Sequence, residues 1–94
     1  MALETTRYDS ADYLKDEESI AAYIDAAFED GDPQLIAHAL GVVARARGMT
    51  GVAKEAGVTR EALYKALSDK GDPRLSTVLG VVRALGFTLT ARPG

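Results

Sequence analysis

The chain has 94 residues, 47% apolar and 27% charged, a balance that suits one small folded domain and not a disordered tail. It contains no cysteine, which excludes disulfides, thiolate metal sites and cysteine nucleophiles. No apolar run approaches the roughly 20 residues of a membrane span, and the first residues lack the basic-then-apolar order of a signal peptide, so a soluble cytoplasmic protein is expected.

The net charge of −3 conceals a division along the chain. Residues 1–32 hold ten acidic residues against two basic ones, Arg7 and Lys15, whereas residues 33–94 hold nine basic and four acidic. The local field decides where a phosphate backbone docks, so the acidic total does not exclude a nucleic acid from the second part.

In chain order, "DSADYLK" from Asp9 suits one or two helical turns capped by Asp9 or Ser10. In "DEESIAAYIDAAFEDG", Ile20, Ile24, Ala27 and Phe28 recur at helical spacing on one face, with Tyr23 at its edge. Asp16, Glu17 and Glu18 lie in the first turn, where the helix dipole favours negative charge, and Gly31 is the stop. "GDPQL" at Gly31 returns as "GDPRL" at Gly71, and "LGVVARARG" at Leu40 resembles "LGVVRALG" at Leu79. This repeat reads as punctuation rather than a duplicated functional loop: glycine ends a helix, aspartate caps the next and proline takes its first position. The first such helix, Pro33 to Arg47, is expected to bury Leu35, Ile36, Ala39, Leu40, Val43 and Ala46. The second, Pro73 to Leu85, is expected to bury Leu75, Val78, Leu79, Val82 and Leu85. Gly48 and Gly86 close them.

The tail changes period. Phe87, Leu89 and Ala91 alternate with Thr88, Thr90 and Arg92, which predicts a short strand ended by Pro93. Its backbone needs a partner edge. "TTRYD" near the start is a weak candidate, and the same strand of a second copy, paired through residues 87–91 across a twofold axis, is the better one. A homodimer is expected.

Between the two capped helices, Thr50 is placed to cap a helix through Ala56 and Thr59 another through Ser68. Only "GVT" separates them, with Gly57 supplying the positive φ of a tight turn and Val58 filling the angle. Val52, Ala56, Leu63, Ala66 and Leu67 form the inner side, and Arg60, Glu61, Tyr64 and Lys65 face out. Ala53, Gly57 and Leu63 match the spacing of a DNA-binding helix-turn-helix, which ordinary helical hairpins can also match.

Nearly the whole chain resembles the small Xre/HigA-type antitoxins of the probable addiction module antidote group. The likeness is carried by "DYLKDEESIAAYIDAAFEDGDPQLIAHALGVVARARGM", "AKEAGVTREALYKALS" and "GDPRLSTVLGVVRALGFTLTA". It implies an all-α, five- or six-helix lambda-repressor-like domain with a short C-terminal strand paired across a dimer. It also implies a repressor of its own operon that binds operator DNA and neutralises a RelE/HigB-like toxin, a small basic ribonuclease encoded beside it. One departure stands out. Xre-type readers often carry glutamine at the start of the first motif helix, where this chain has Thr50 and Gly51.

On that reading the single domain 1–94 divides into an acidic segment 1–32, a helix-turn-helix core 33–86 and a dimerisation strand 87–92. Thr50, Lys54, Thr59, Arg60, Glu61, Tyr64 and Lys65 are the DNA-binding candidates. Arg60, in the first turn of the reader helix, could take guanine through its fork or simply a phosphate. Thr59 is foremost a cap. Glu61 and Lys65 have the order for an intrahelical ion pair. Tyr64 could meet a phosphate or a thymine methyl, or pack on the dimer. Arg45, Arg47, Lys70 and Arg74 could add backbone contacts.

Asp16, Glu17, Tyr23, Asp25, Glu29 and Asp30 are the toxin-binding candidates. Glu29 and Asp30 occupy a last helical turn, where negative charge is unfavourable, and that cost suggests a basic partner. An enzyme is not expected: His38 stands without a carboxylate or nucleophile in a motif, and the carboxylates lack metal-loop spacing. Neither cofactor, metal, membrane nor small-molecule substrate is expected. The alternative is an interaction module that neutralises a partner without binding DNA.

Overall fold

The computed structural model describes residues 16–93. The turns expected over Asp9 to Lys15 and the weak strand "TTRYD" lie outside them. Among the described residues the chain is all-α, with five helices and no strand: α1 Glu17–Asp30, α2 Pro33–Arg47, α3 Met49–Ala56, α4 Arg60–Ala66 and α5 Leu75–Ala84.

α1 starts where Asp16 caps it, its Oδ2 accepting from the Ser19 amide at 3.4 Å. Ile20, Ile24 and Ala27 are buried and Phe28 is half-buried, as the spacing requires. α2 starts at Pro33 because Asp32 Oδ1 accepts from the Gln34 amide at 3.1 Å. Its inner stripe is rotated from the expected one. Leu35 and Ala46 face solvent, while Ala37, Gly41 and Ala44 are buried beside Ala39, Leu40 and Val43. Size decides this: the narrow stripe at Gly41 lets the backbone of Leu67 come into contact, which larger side chains would prevent.

The two "GDP" segments do not behave alike. α5 begins at Leu75 rather than Pro73, with Arg74 in the cap position and no side-chain cap. The Gly71 amide donates to the Ser68 carbonyl at 2.9 Å. That turn ties the segment to the end of α4, so Asp72 and Pro73 are still loop. Leu75 is consequently 68% exposed and Leu79 half-buried, and Val78, Val81, Val82 and Leu85 carry the core. α3 likewise begins one residue before Thr50, which sits within the first turn and caps nothing.

α3 is the hub, packing against α2, α4 and α5, while α1 lies on α2. Ile20, Leu40, Val43, Leu63, Val81 and Leu85 form the sealed centre. After α5, the Phe87 amide donates to the Val82 carbonyl at 3.0 Å. Beyond it, residues 88–93 have no regular structure. The strand expected over 87–92 does not form in the single chain, because no edge among the described residues lies along it to take its hydrogen bonds.

The α3–α5 contact is close enough to need glycine. A Cβ on Gly80 would stand 3.2 Å from the Cα, Cβ and carbonyl oxygen of Ala56. Gly80→Val should lower the unfolding free energy by about 1–3 kcal/mol through overpacking, measured by urea denaturation. Unchanged stability would contradict this crossing.

Candidate functional site

The orientation of α4 is set by three successive residues. Gly57 ends α3 in the left-handed region at φ 79°, a conformation that costs glycine little and other residues more. The Val58 amide then donates back to the Ala53 carbonyl at 3.0 Å, and the half-buried Val58 side chain packs on the core. Thr59 is extended, and its Oγ1 accepts from the Ala62 amide at 3.0 Å. This satisfies one orphan donor and starts the helix at Arg60.

Leu63 is fully buried and Leu67 nearly so. With that side sealed, Arg60, Glu61, Tyr64 and Lys65 all stand exposed on the outer side. The Arg60 guanidinium lies 5.4 Å from the centroid of the Tyr64 ring. Hydrogen bonding to Tyr64, first among the causes, raises the Arg60 pKa from its ordinary value; the guanidinium is a cation at any physiological pH in either case. The negative face of the ring attracts the guanidinium and biases it toward Tyr64.

The ion pair expected between Glu61 and Lys65 does not form: among the described residues the ion pairs are those of Arg92. Lys65 is therefore uncommitted, and with Lys70 and Ser68 it borders a hollow of about 480 Å³ at the end of α4. Lys54 and Thr50 are exposed on α3, and Arg45, Arg47 and Arg74 are exposed elsewhere on the basic portion.

A second surface is built on α1. Glu17, Asp25, Glu29 and Asp30 are exposed, whereas Tyr23 is half-buried and packs on the core. Asp16 is occupied as a cap, accepting from both the amide and the hydroxyl of Ser19. Asp25 and Glu29 share one helical face, and Arg92 reaches both: its Nη2 is 3.5 Å from Asp25 Oδ1 and 4.0 Å from Glu29 Oε2. Sequence spacing could not reveal this, since Asp25 and Arg92 are 67 positions apart. The unfavourable position of Glu29 thus has an offset within the chain itself. Because all three side chains are largely exposed, each pair contributes at most about 1 kcal/mol.

Of the tail residues, Phe87 is half-buried and Thr88, Leu89, Thr90 and Ala91 are exposed. His38 is exposed on α2. Among the described residues no group of three His, Asp or Glu side chains is placed to hold a metal ion, and no helix is long and apolar enough to cross a membrane.

The family model described as "Probable addiction module antidote protein" matches residues 4–93. The chain belongs to this family. An uncharacterized protein of Haemophilus influenzae is 45% identical to the antidote chain over 80 residues, 85% of this chain and 82% of the relative. No solved structure matches. Membership of an antidote family points to a non-enzymatic regulator with a toxin as its general partner.

Within the antidote chain, the Thr59 cap is a small and separable contribution to α4. Thr59→Ala should cost about 1 kcal/mol of stability and Thr59→Ser much less, read from the midpoint of urea unfolding. Equal midpoints for wild type and Thr59→Ala would contradict the capping role.

Proposed function

We propose that the antidote is a dimeric repressor that binds the operator of its own operon through α3 and α4, used as a helix-turn-helix, and neutralises a small basic RelE/HigB-like toxin through α1. One observation carries the DNA reading: burial of Leu63 leaves Arg60, Tyr64 and Lys65 together on the exposed side of a helix whose start is fixed by Gly57 and Thr59. In this reading α4 enters the major groove, where first-turn side chains reach base edges. Arg60, beside the Tyr64 ring, takes guanine O6 and N7. Lys65 and Lys70 meet the phosphate backbone through their exposed ammonium tips, outside the hollow that Asp72 also lines, and Lys54 and Thr50 on α3 meet the flanking strand.

Residues 87–91 supply the dimer contact in this proposal. Their amides beyond Phe87 take part in no backbone hydrogen bond among the described residues, so a second copy of the tail, running antiparallel across a twofold axis, would satisfy them. The two readers would then address half-sites about 34–36 Å apart.

Salt-dependent gel shifts with the promoter upstream of the gene test the DNA reading. Arg60→Ala should weaken operator binding roughly 5- to 100-fold and relax sequence preference. Lys65→Ala should weaken all sequences alike and reduce the salt slope by about 1. Binding that disappears under competitor DNA while toxin neutralisation persists would leave the partner-binding role alone.

The acidic surface is tested separately. Reversing Asp25, Glu29 and Asp30 to lysine should weaken capture of the neighbouring gene's product at least about tenfold. Operator binding should be unchanged or tighter, because negative charge near DNA is removed. Equal losses in both assays would contradict two separate surfaces.

A further inference from the structure

The C-terminal tail runs beside α1 and leaves a groove between them. One hollow of about 450 Å³ is lined by Ala22, Phe28, Val82 and Leu89 together with Asp25. A second, of about 310 Å³, adjoins it and adds Glu29. The two share Asp25, Phe28, Thr90 and Arg92. Arg92 therefore sits where the hollows meet, with one guanidinium nitrogen facing both carboxylates.

This arrangement has the composition of a receptor: apolar side chains and two carboxylates in one lining, and a cation already paired with both. We propose that the groove receives a segment of the toxin in which an arginine or lysine adjoins an apolar side chain, and that Arg92 is the chain's own occupant of that place, displaced when the toxin docks. The inference rests on the antidote reading and specifies its contact.

Three observations favour displacement. Past the Phe87 amide no backbone hydrogen bond within the single chain holds the tail among the described residues, and the dimer pairing proposed for residues 87–91 stops short of Arg92, whose side chain alone has to move. The Arg92 side chain is 68% exposed and its two partners 61% and 72%, so breaking the pairs costs little. Charge also favours an incoming cation. The last turn of α1 contains no basic residue, and Glu29 and Asp30 lie at its negative dipole end, so Arg92 only partly neutralises this surface. An incoming segment gains the carboxylates Arg92 leaves and buries apolar area that the small tail residues cover incompletely. Arg92 thus sets a threshold: a partner must offer both the charge and the apolar neighbour to replace it.

The test uses the full chain in two arms. In the first, a capped tetrapeptide copying residues 89–92 is titrated into wild type, Arg92→Ala and the triple variant D25N/E29Q/R92A, with backbone amide shifts read by NMR. Saturable shifts at Asp25, Phe28 and Glu29 should appear in Arg92→Ala at roughly three- to fivefold lower peptide concentration than in wild type, the scale of one exposed ion pair. They should vanish in the triple variant. Absence of saturable shifts in Arg92→Ala, or equal titration of Arg92→Ala and wild type, overturns the groove.

In the second arm, the neighbouring gene's product is the probe. Arg92→Ala should bind it about three- to fivefold tighter and D25N/E29Q at least tenfold weaker, with unchanged thermal melting. If the product binds wild type and Arg92→Ala equally, self-occupancy is wrong while the antidote reading stands. If it binds no variant, the antidote assignment of that pair fails, and a positive peptide arm still establishes the groove as a cation receptor.

Discussion

Leu63 is the fulcrum of the molecule. A helix advances about 100° per residue, so sealing one side chain in the core fixes the direction of every other on a helix of seven residues. With Leu63 inaccessible to solvent and Leu67 one turn on in the same core, α4 has a single rotational setting. Arg60, Glu61, Tyr64 and Lys65 point outward because the alternative would drive charge into an apolar centre in which, among the described residues, no polar side chain is buried. The turn before α4 refines that setting: Gly57 allows the chain to reverse, Val58 occupies the corner and Thr59 fixes where the first helical turn begins.

The same core separates two electrostatic environments carried by one short chain. α1 rests chiefly on α2, whereas α4 rests on α3, so the acidic and basic surfaces belong to different parts of the scaffold. Separation keeps the two fields distinct, because each falls off within roughly 10 Å at moderate salt. Arg92 is a local exception: a basic residue of the C-terminal portion crosses to the acidic one and pairs with Asp25 and Glu29.

Much of the architecture was legible in the residues. The starts of α2 and α4 follow from side chains that satisfy free amides, Asp32 and Thr59, and the turn follows from Gly57, whereas Asp16, expected within the first turn of α1, caps it instead. Those are local interactions, and local sequence contains them. What escaped was non-local. Hydropathy favours Leu35 over Ala37 as a core residue, yet Ala37 is inside, because close approach selects for small size. "GDPQL" and "GDPRL" look equivalent until the Gly71 amide is found committed to Ser68. The alternation after Phe87 reads as a strand but finds no edge among the described residues. At the candidate sites, the exposed face of α4 was readable from period alone. The engagement of Asp25 and Glu29 by Arg92 was not, since no periodicity links residues so far apart.

The approach of α5 to α3 bears on how such a chain can diverge. Ala56 closes the helix that leads into the Gly57 turn, and Gly80 lies in the middle of α5, so the two positions share one small volume. A bulkier side chain at either would tilt α3 and swing the Gly57 corner, carrying the Arg60 tip away from its present bearing. Descendants of this sequence are therefore held to small residues at both places or must alter them in concert. An alignment of relatives should show that constraint as a correlated pair that fixes the setting of α4 through packing alone.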